Sequence, residues 1–268
     1  MNTSQIFDPS RFAAVLRRDF IMQRNGWLMR VAAMLGVMIL SELFVGYLAT
    51  LVAYKNDSLN YLLAQKIALS FVCWFEVSLF TTLGASLFLS GWATPGERLN
   101  EIMSPASTLE KYASRFTISI IGVAAVTILC WEISDAVRQW LLSIFMNAES
   151  CSHVSFISGC RVITDKIGHT FVLGFLGSQA MYALGSTLFP RHPFLKTVGA
   201  CFVIEMIFAF AVGFTVGFFH DASWVGTGTL DLNTWLPRFY MAGIVILTLF
   251  CFITAYFRIK EQEIIDRM

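Results

Sequence analysis

Charge is scarce in this sequence. Only 14% of its 268 residues are Asp, Glu, Lys or Arg, against about 25% in an ordinary soluble domain. The formal net charge of +1 supplies no basic stripe, so nucleic acid is not an expected partner. No G-x-x-x-x-G-K-[ST] phosphate loop occurs, which excludes ATP binding and cleavage by that chemistry. No H-E-x-x-H pair occurs either. The four histidines, His153, His169, His192 and His220, are scattered, and no Ser or Cys has a base at readable spacing. We therefore expect no catalytic residues, no metal, no cofactor and no enzyme activity of its own. The alternation of apolar and polar residues that marks a porin-like barrel is absent too. The first 25 residues carry Asp8, Arg11, Arg17, Arg18, Asp19 and Arg24, unlike the uncharged core of a cleaved secretion signal.

What the chain has instead is apolar length. Hydrophobic residues make up 56% of it, and its mean hydropathy is +0.66. Six runs, 29–54, 62–92, 116–140, 169–189, 197–219 and 239–257, meet or nearly meet the requirement of about 20 residues for a helix crossing a core about 30 Å thick. The expected fold is all-α, a polytopic membrane bundle of six transmembrane helices forming one transmembrane domain over 1–268. If the N-terminus is cytoplasmic, the inside segments and span ends hold most of the basic residues, beginning with Arg11, Arg17, Arg18, Arg24 and Arg30, and the outside ones hold fewer, beginning with Lys55 and Lys66. The positive-inside bias then places both termini in the cytoplasm. Trp27, Trp92, Trp140, Trp224 and Trp235 fall near span ends, as an aromatic belt requires.

Local signals refine this outline. Asp8 followed by Pro9 reads as an N-cap with proline at the first helical position. Behind it, Phe12, Val15, Leu16 and Phe20 recur at helical spacing with arginines on the other side, which predicts an N-terminal interfacial amphipathic helix over 8–25. Its role is open between a basic anchor on anionic lipid and a specific docking element. Thr94, Pro95, Gly96 and Glu97 form a capping box that predicts a short helix over 95–103 at the cytoplasmic surface. Leu99, Ile102 and Met103 share one side of it, for a protein partner or for lipid. Ser107 and Glu110 form a second capping box, opening the third span. Cys151 and Cys160 allow a disulfide if their connection faces an oxidising compartment. Cys73, Cys130, Cys201 and Cys251 behave as small apolar residues in spans. The connection 220–237 follows Gly213-x-x-x-Gly217, a close-packing motif, and forms either a buried lid or an interfacial loop.

Three carboxylates, Glu42, Glu76 and Glu205, fall near mid-depth with no obvious basic partner. A charge there is costly, so each should face the bundle interior, a cavity or a partner. They read either as a route for cationic cargo or protons, or as carboxyls bonded to hydroxyls such as Ser41, Ser70 or Ser78 that lock helices together. Glu132, Asp135 and Arg138, higher on the third span, read as an internal ion pair or a solvated rim.

This order of elements resembles the membrane subunit of ABC-2 type transporters. The stretch Ser104-Pro105-Ala106-Ser107-Thr108-Leu109-Glu110-Lys111-Tyr112 is similar to the PAS-x-LEK stretch of bacterial permeases of that kind. The resemblance implies a bacterial inner-membrane protein working with a second permease subunit, identical or not, and with a separate ATP-binding subunit. It implies that 95–103 is the coupling helix, with Glu97, Leu99, Glu101, Ile102 and Met103 meeting the ATPase. With three mid-depth glutamates and no positive groove, small amphiphiles, peptides or drugs fit as cargo better than a polyanionic polymer. The alternative is a non-transporting scaffold or sensor that recruits a cytoplasmic protein.

Overall fold

The computed structural model describes residues 7–55, 61–88, 103–145, 153–167, 170–189, 191–221 and 232–265. Among them the regular structure is entirely helical. Helix α1 is Pro9–Lys55 and α2 is Tyr61–Ser86. Helix α3, Thr108–Phe116, passes through a π-helical segment, Thr117–Gly122, into α4, Val123–Phe145. The rest are α5 (Phe156–Ile167), α6 (Thr170–Leu188), α7 (Pro193–Asp221) and α8 (Leu232–Ile265).

Four of these stretches are long and apolar enough to cross a membrane: Arg24–Ala49, Leu62–Ser86, Thr108–Ile144 and Met241–Glu261. Within the expected fourth and fifth spans, the described residues meet at a sharp bend. Val172–Leu188 and Pro193–Ile207 qualify only together and meet at 117°. Among the described residues the count is four candidate spans, or five if that bent pair is one, against the six expected from run length. The bend has a local cause. Pro193 disfavours a helical conformation for the residue before it, and His192 adopts a left-handed backbone with φ 56°. Gly185 permits the two helices to close up, because a methyl there would sit 2.0 Å from Thr197 Oγ1.

The expected boundary near residue 25 is also absent. Helix α1 runs unbroken for 47 residues, about 70 Å at 1.5 Å per residue, so 8–25 is not a separate interfacial helix. Asn25–Gly26 does not interrupt it because one glycine inside a helix costs only about 1 kcal/mol. The start of α1 is as expected: Asp8 Oδ1 accepts from the Ser10 N–H at 2.9 Å, and Phe12 N–H donates to the Asp8 carbonyl at 2.9 Å. Helix α8 begins at Leu232, which shortens the connection expected over 220–237. Residues 222–231 lie outside the described residues.

Helices α1, α2 and α4 pack together, α5 lies on α2, and α6 joins α2 to α7 and α8. Leu69, Cys73, Val77, Trp131 and Val154 form one buried cluster, and Met34, Met38 and Cys130 form another.

Candidate functional site

The sequence hides its densest chemistry in the third apolar run. Asp135 and Arg138, three residues apart, share one face of α4. Both are fully buried, as is Glu42 on α1. Arg138 donates through Nε (3.1 Å) and Nη2 to Asp135 Oδ1, and its Nε lies 3.8 Å from Glu42 Oε2. Glu42 also accepts from the Ser134 hydroxyl, one turn below Arg138. Gly46 on α1 leaves space beside Arg138: a methyl there would be 3.6 Å from Arg138 Cδ. One cation thus lies between two carboxylates contributed by two helices. Such an arrangement is specific in position, and removing any one member strands the others in an apolar medium.

Residues 153–156, leading into α5, close over this cluster. Asp135 Oδ2 accepts from Gln139 Nε2 at 2.7 Å and lies 2.6 Å from His153 Nδ1. Trp131 Nε1 donates to the Val154 carbonyl at 2.9 Å, and Glu132 accepts from the Phe156 N–H at 2.8 Å. That last carboxylate meets the exposed N–H groups at the start of α5, where the helix dipole favours negative charge. Val154 is fully buried, whereas the His153 side chain is 60% exposed. Ion-paired and hydrogen-bonded groups therefore lead from the surface at His153 through Asp135 and Arg138 to Glu42.

Glu42 therefore has the basic partner that its place in the sequence does not reveal. Glu76 on α2 is also buried and accepts from the Ser41 hydroxyl, one of the hydroxyls expected for it. Glu205 does not join them. It is exposed on α7 with Val203, Ile204, Met206 and Ile207, also exposed, on either side of it. The structure brings two of the three glutamates to the α1–α2–α4 core and leaves the third on the outer surface. Of the expected internal pair or rim, Asp135–Arg138 is internal. The contribution of His153 is invisible to spacing, since it reaches Asp135 from beyond the end of the helix.

A second polar cluster lies at the N-terminal end of α1. The Ser107–Glu110 capping box is present: Ser107 Oγ accepts from Glu110 N–H at 3.2 Å, and Glu110 Oε2 accepts from Ser107 N–H at 2.9 Å. Glu110 does more than cap. It is fully buried, accepts from the Asp8 N–H at 2.7 Å and pairs with Arg11 Nη2 at 3.2 Å. One turn on, Ser114 Oγ donates to Asp19 at 3.0 Å. Tyr112 donates to the Phe252 carbonyl at 3.1 Å and meets Phe88 and Tyr256 edge-on. The base of α3 thereby ties the starts of α1 and α3 to α8 and to the residues just after α2.

Of the residues expected to meet a partner, Met103 is 80% exposed, beside a hollow lined by Arg11, Val15, Arg18 and Pro105. Glu97, Leu99, Glu101 and Ile102 lie outside the described residues, as does Cys151; Cys160 is half-buried on α5. Among the described residues no group of His, Cys, Asp and Glu is arranged to hold a metal.

The chain matches no family model, no curated protein and no solved structure. Its functional reading rests on its own geometry.

Proposed function

We propose that this chain is the membrane-spanning subunit of an ABC-type exporter, moved by ATP hydrolysis in a separate subunit and exporting a small amphiphile, peptide or drug. One observation carries the reading. Helix α1 is continuous from the polar cluster at Asp8, Arg11 and Asp19 to Glu42 in the buried ionic cluster. A push on the foot formed by α1 and α3 is transmitted by that helix to the contact between Glu42 and Arg138. The ionic cluster then serves as a latch between α1 and α4, since Glu42, Asp135 and Arg138 have no exposure through which cargo could touch them. ATP can drive the latch only by favouring one of its two states.

In this reading 95–103 forms the coupling helix, the foot is cytoplasmic, this chain makes six crossings, and a second permease subunit covers the exposed face of α7. The sealed cluster also favours a second reading, a scaffold whose charges only lock the helices while the foot recruits a cytoplasmic protein. Purification of the tagged full-length chain from its native membrane separates them. We expect an ATP-hydrolysing protein to copurify, and its activity to lose stimulation when Leu99, Ile102 and Met103 are replaced by Asp. Copurification of a partner without nucleotide hydrolysis would favour the scaffold, and unchanged stimulation would reject the coupling role.

A further inference from the structure

A cavity of about 320 Å³ lies between α1, α2 and the π segment with the first turn of α4. That is at the small end of ligand sites, which span about 300–1,000 Å³. Its walls include Val31, Met34, Phe80, Leu83 and Val126. Polarity is concentrated at one end, where Trp27 and Arg30 line it near the start of the Arg24–Ala49 span. The Arg30 guanidinium lies 5.9 Å from the centre of the Trp27 ring. The Trp27 indole N–H is buried with no hydrogen-bond acceptor. No carboxylate pairs with Arg30 among the described residues.

We propose that this cavity holds one acyl chain of an anionic phospholipid from the leaflet on the N-terminal side, its phosphate bonded by Arg30 and Trp27. The inference goes beyond the exporter reading and does not depend on it. Charge complementarity selects the headgroup: a cation and an unsatisfied N–H at a span end lie at the depth of lipid phosphates. Shape selects the chain. From Trp27 to Val37 the cavity follows α1 for about 15 Å, and Val37, 51% exposed, stands at its rim. A protein helix about 10 Å across does not fit so small a volume. Behind the cavity the wall is closed, because Gly84 meets Val123 so tightly that a methyl on Gly84 would be 2.6 Å from it. The π segment contributes Ser119 to the wall, and such segments recur at functional sites.

The test uses the delipidated full-length protein in detergent, titrated with phosphatidylglycerol and with phosphatidylcholine of identical chains, bound lipid being counted by native mass spectrometry. Wild type should prefer phosphatidylglycerol by about fivefold, the effect of one basic residue at a membrane surface. Arg30→Ala should abolish the preference and Arg30→Lys should keep it. Trp27→Phe, which removes the N–H together with part of the ring, should weaken it. Val37→Phe, at the rim and away from the packed core, should lower the occupancy of both lipids alike. Glycerol phosphate, a headgroup without a chain, should not compete. Equal binding of the two lipids to wild type, a preference that survives Arg30→Ala, or full competition by glycerol phosphate overturns the proposal. A cavity covered by a second copy would bind neither lipid, which also overturns it.

Discussion

Helices α1, α4 and α8 present the same hydropathy and opposite interiors. Their spanning segments all have a mean hydropathy of 2.0, yet α1 and α4 place Glu42, Asp135 and Arg138 at zero exposure, while α8 shows Val245, Ile246, Leu249, Phe250 and Ile253 on its surface. Burial differs only modestly among them, 17% of the apolar stretch in α8 against 22% in α1 and 28% in the stretch that holds α4, so the contrast lies in which side chains are buried. Hydropathy thus reports that a helix prefers an apolar surrounding. It does not say whether lipid or protein supplies that surrounding. On α1 and α4 the buried charges mark the inward face, because a charge in hydrocarbon needs a partner, whereas a leucine is equally at home against a lipid tail; the exposed Glu205 on α7 shows that a charge alone does not turn its helix inward.

The sharpest way to break the comparison is to remove the cation. Arg138→Met leaves Glu42 buried without a counter-charge and Asp135 with only His153 beside it, and should cost about 3–5 kcal/mol, the usual penalty for stranding a buried ion. The measurement is the unfolding midpoint of the purified protein in detergent. Combining it with Glu42→Gln and Asp135→Asn should recover most of the loss, since neighbours in one network are not additive. A loss below about 1 kcal/mol for Arg138→Met would mean that water reaches the cluster and that the polar side is not sealed.

On the other side the bend between α6 and α7 offers a test without charge. Gly185→Ala pushes a methyl into Thr197 and should cost about 1–3 kcal/mol as overpacking. Gly174→Ala on the same helix meets nothing within 4 Å and should be neutral or stabilising by up to about 1 kcal/mol. Equal effects at the two positions would place the α6–α7 contact elsewhere. A smaller change is expected at the foot. Ser107→Ala removes one acceptor of the capping box and should cost about 1 kcal/mol, while Glu110 keeps its bonds to Asp8 and Arg11.

How far the sequence reveals this molecule follows the same division. The cap at Asp8, the box at Ser107 and Glu110, and the placement of α2 are legible, since each depends on neighbours within one helical turn or on length alone. The continuity of α1 is not, because arginines on one side of 8–25 suggest an interfacial face, while the structure turns Val15 and Arg11 toward α3 and its preceding segment. Helix α5 escapes notice although a local signal exists: Ser155 Oγ accepts from the Ser158 N–H at 3.3 Å as a cap. The ionic cluster is half legible. Asp135 and Arg138 stand at helical spacing, but Glu42 reaches them from 93 and 96 positions away, respectively, and no periodicity carries that distance. Glu205 resembles Glu42 in local sequence context, and only tertiary packing sends one inward and the other out.

The smallest expected effect asks what covers the apolar side. Phe210 on α7 and Ile246 on α8 are exposed. If lipid or detergent is their only neighbour, Phe210→Ala and Ile246→Ala should each change stability by no more than about 0.5 kcal/mol, because the tail that replaces the lost contact is as apolar as the side chain. A protein neighbour behaves differently. Packing between helices leaves a gap that lipid cannot enter, so truncation at a subunit contact should cost more than about 1 kcal/mol. That excess should depend on protein concentration in the detergent micelle, since association stabilises by mass action. If Phe210→Ala shows it and Ile246→Ala does not, α7 is the subunit contact and α8 faces lipid. The polar core of α1, α2 and α4 would then be one of two in the assembly, each with its own latch.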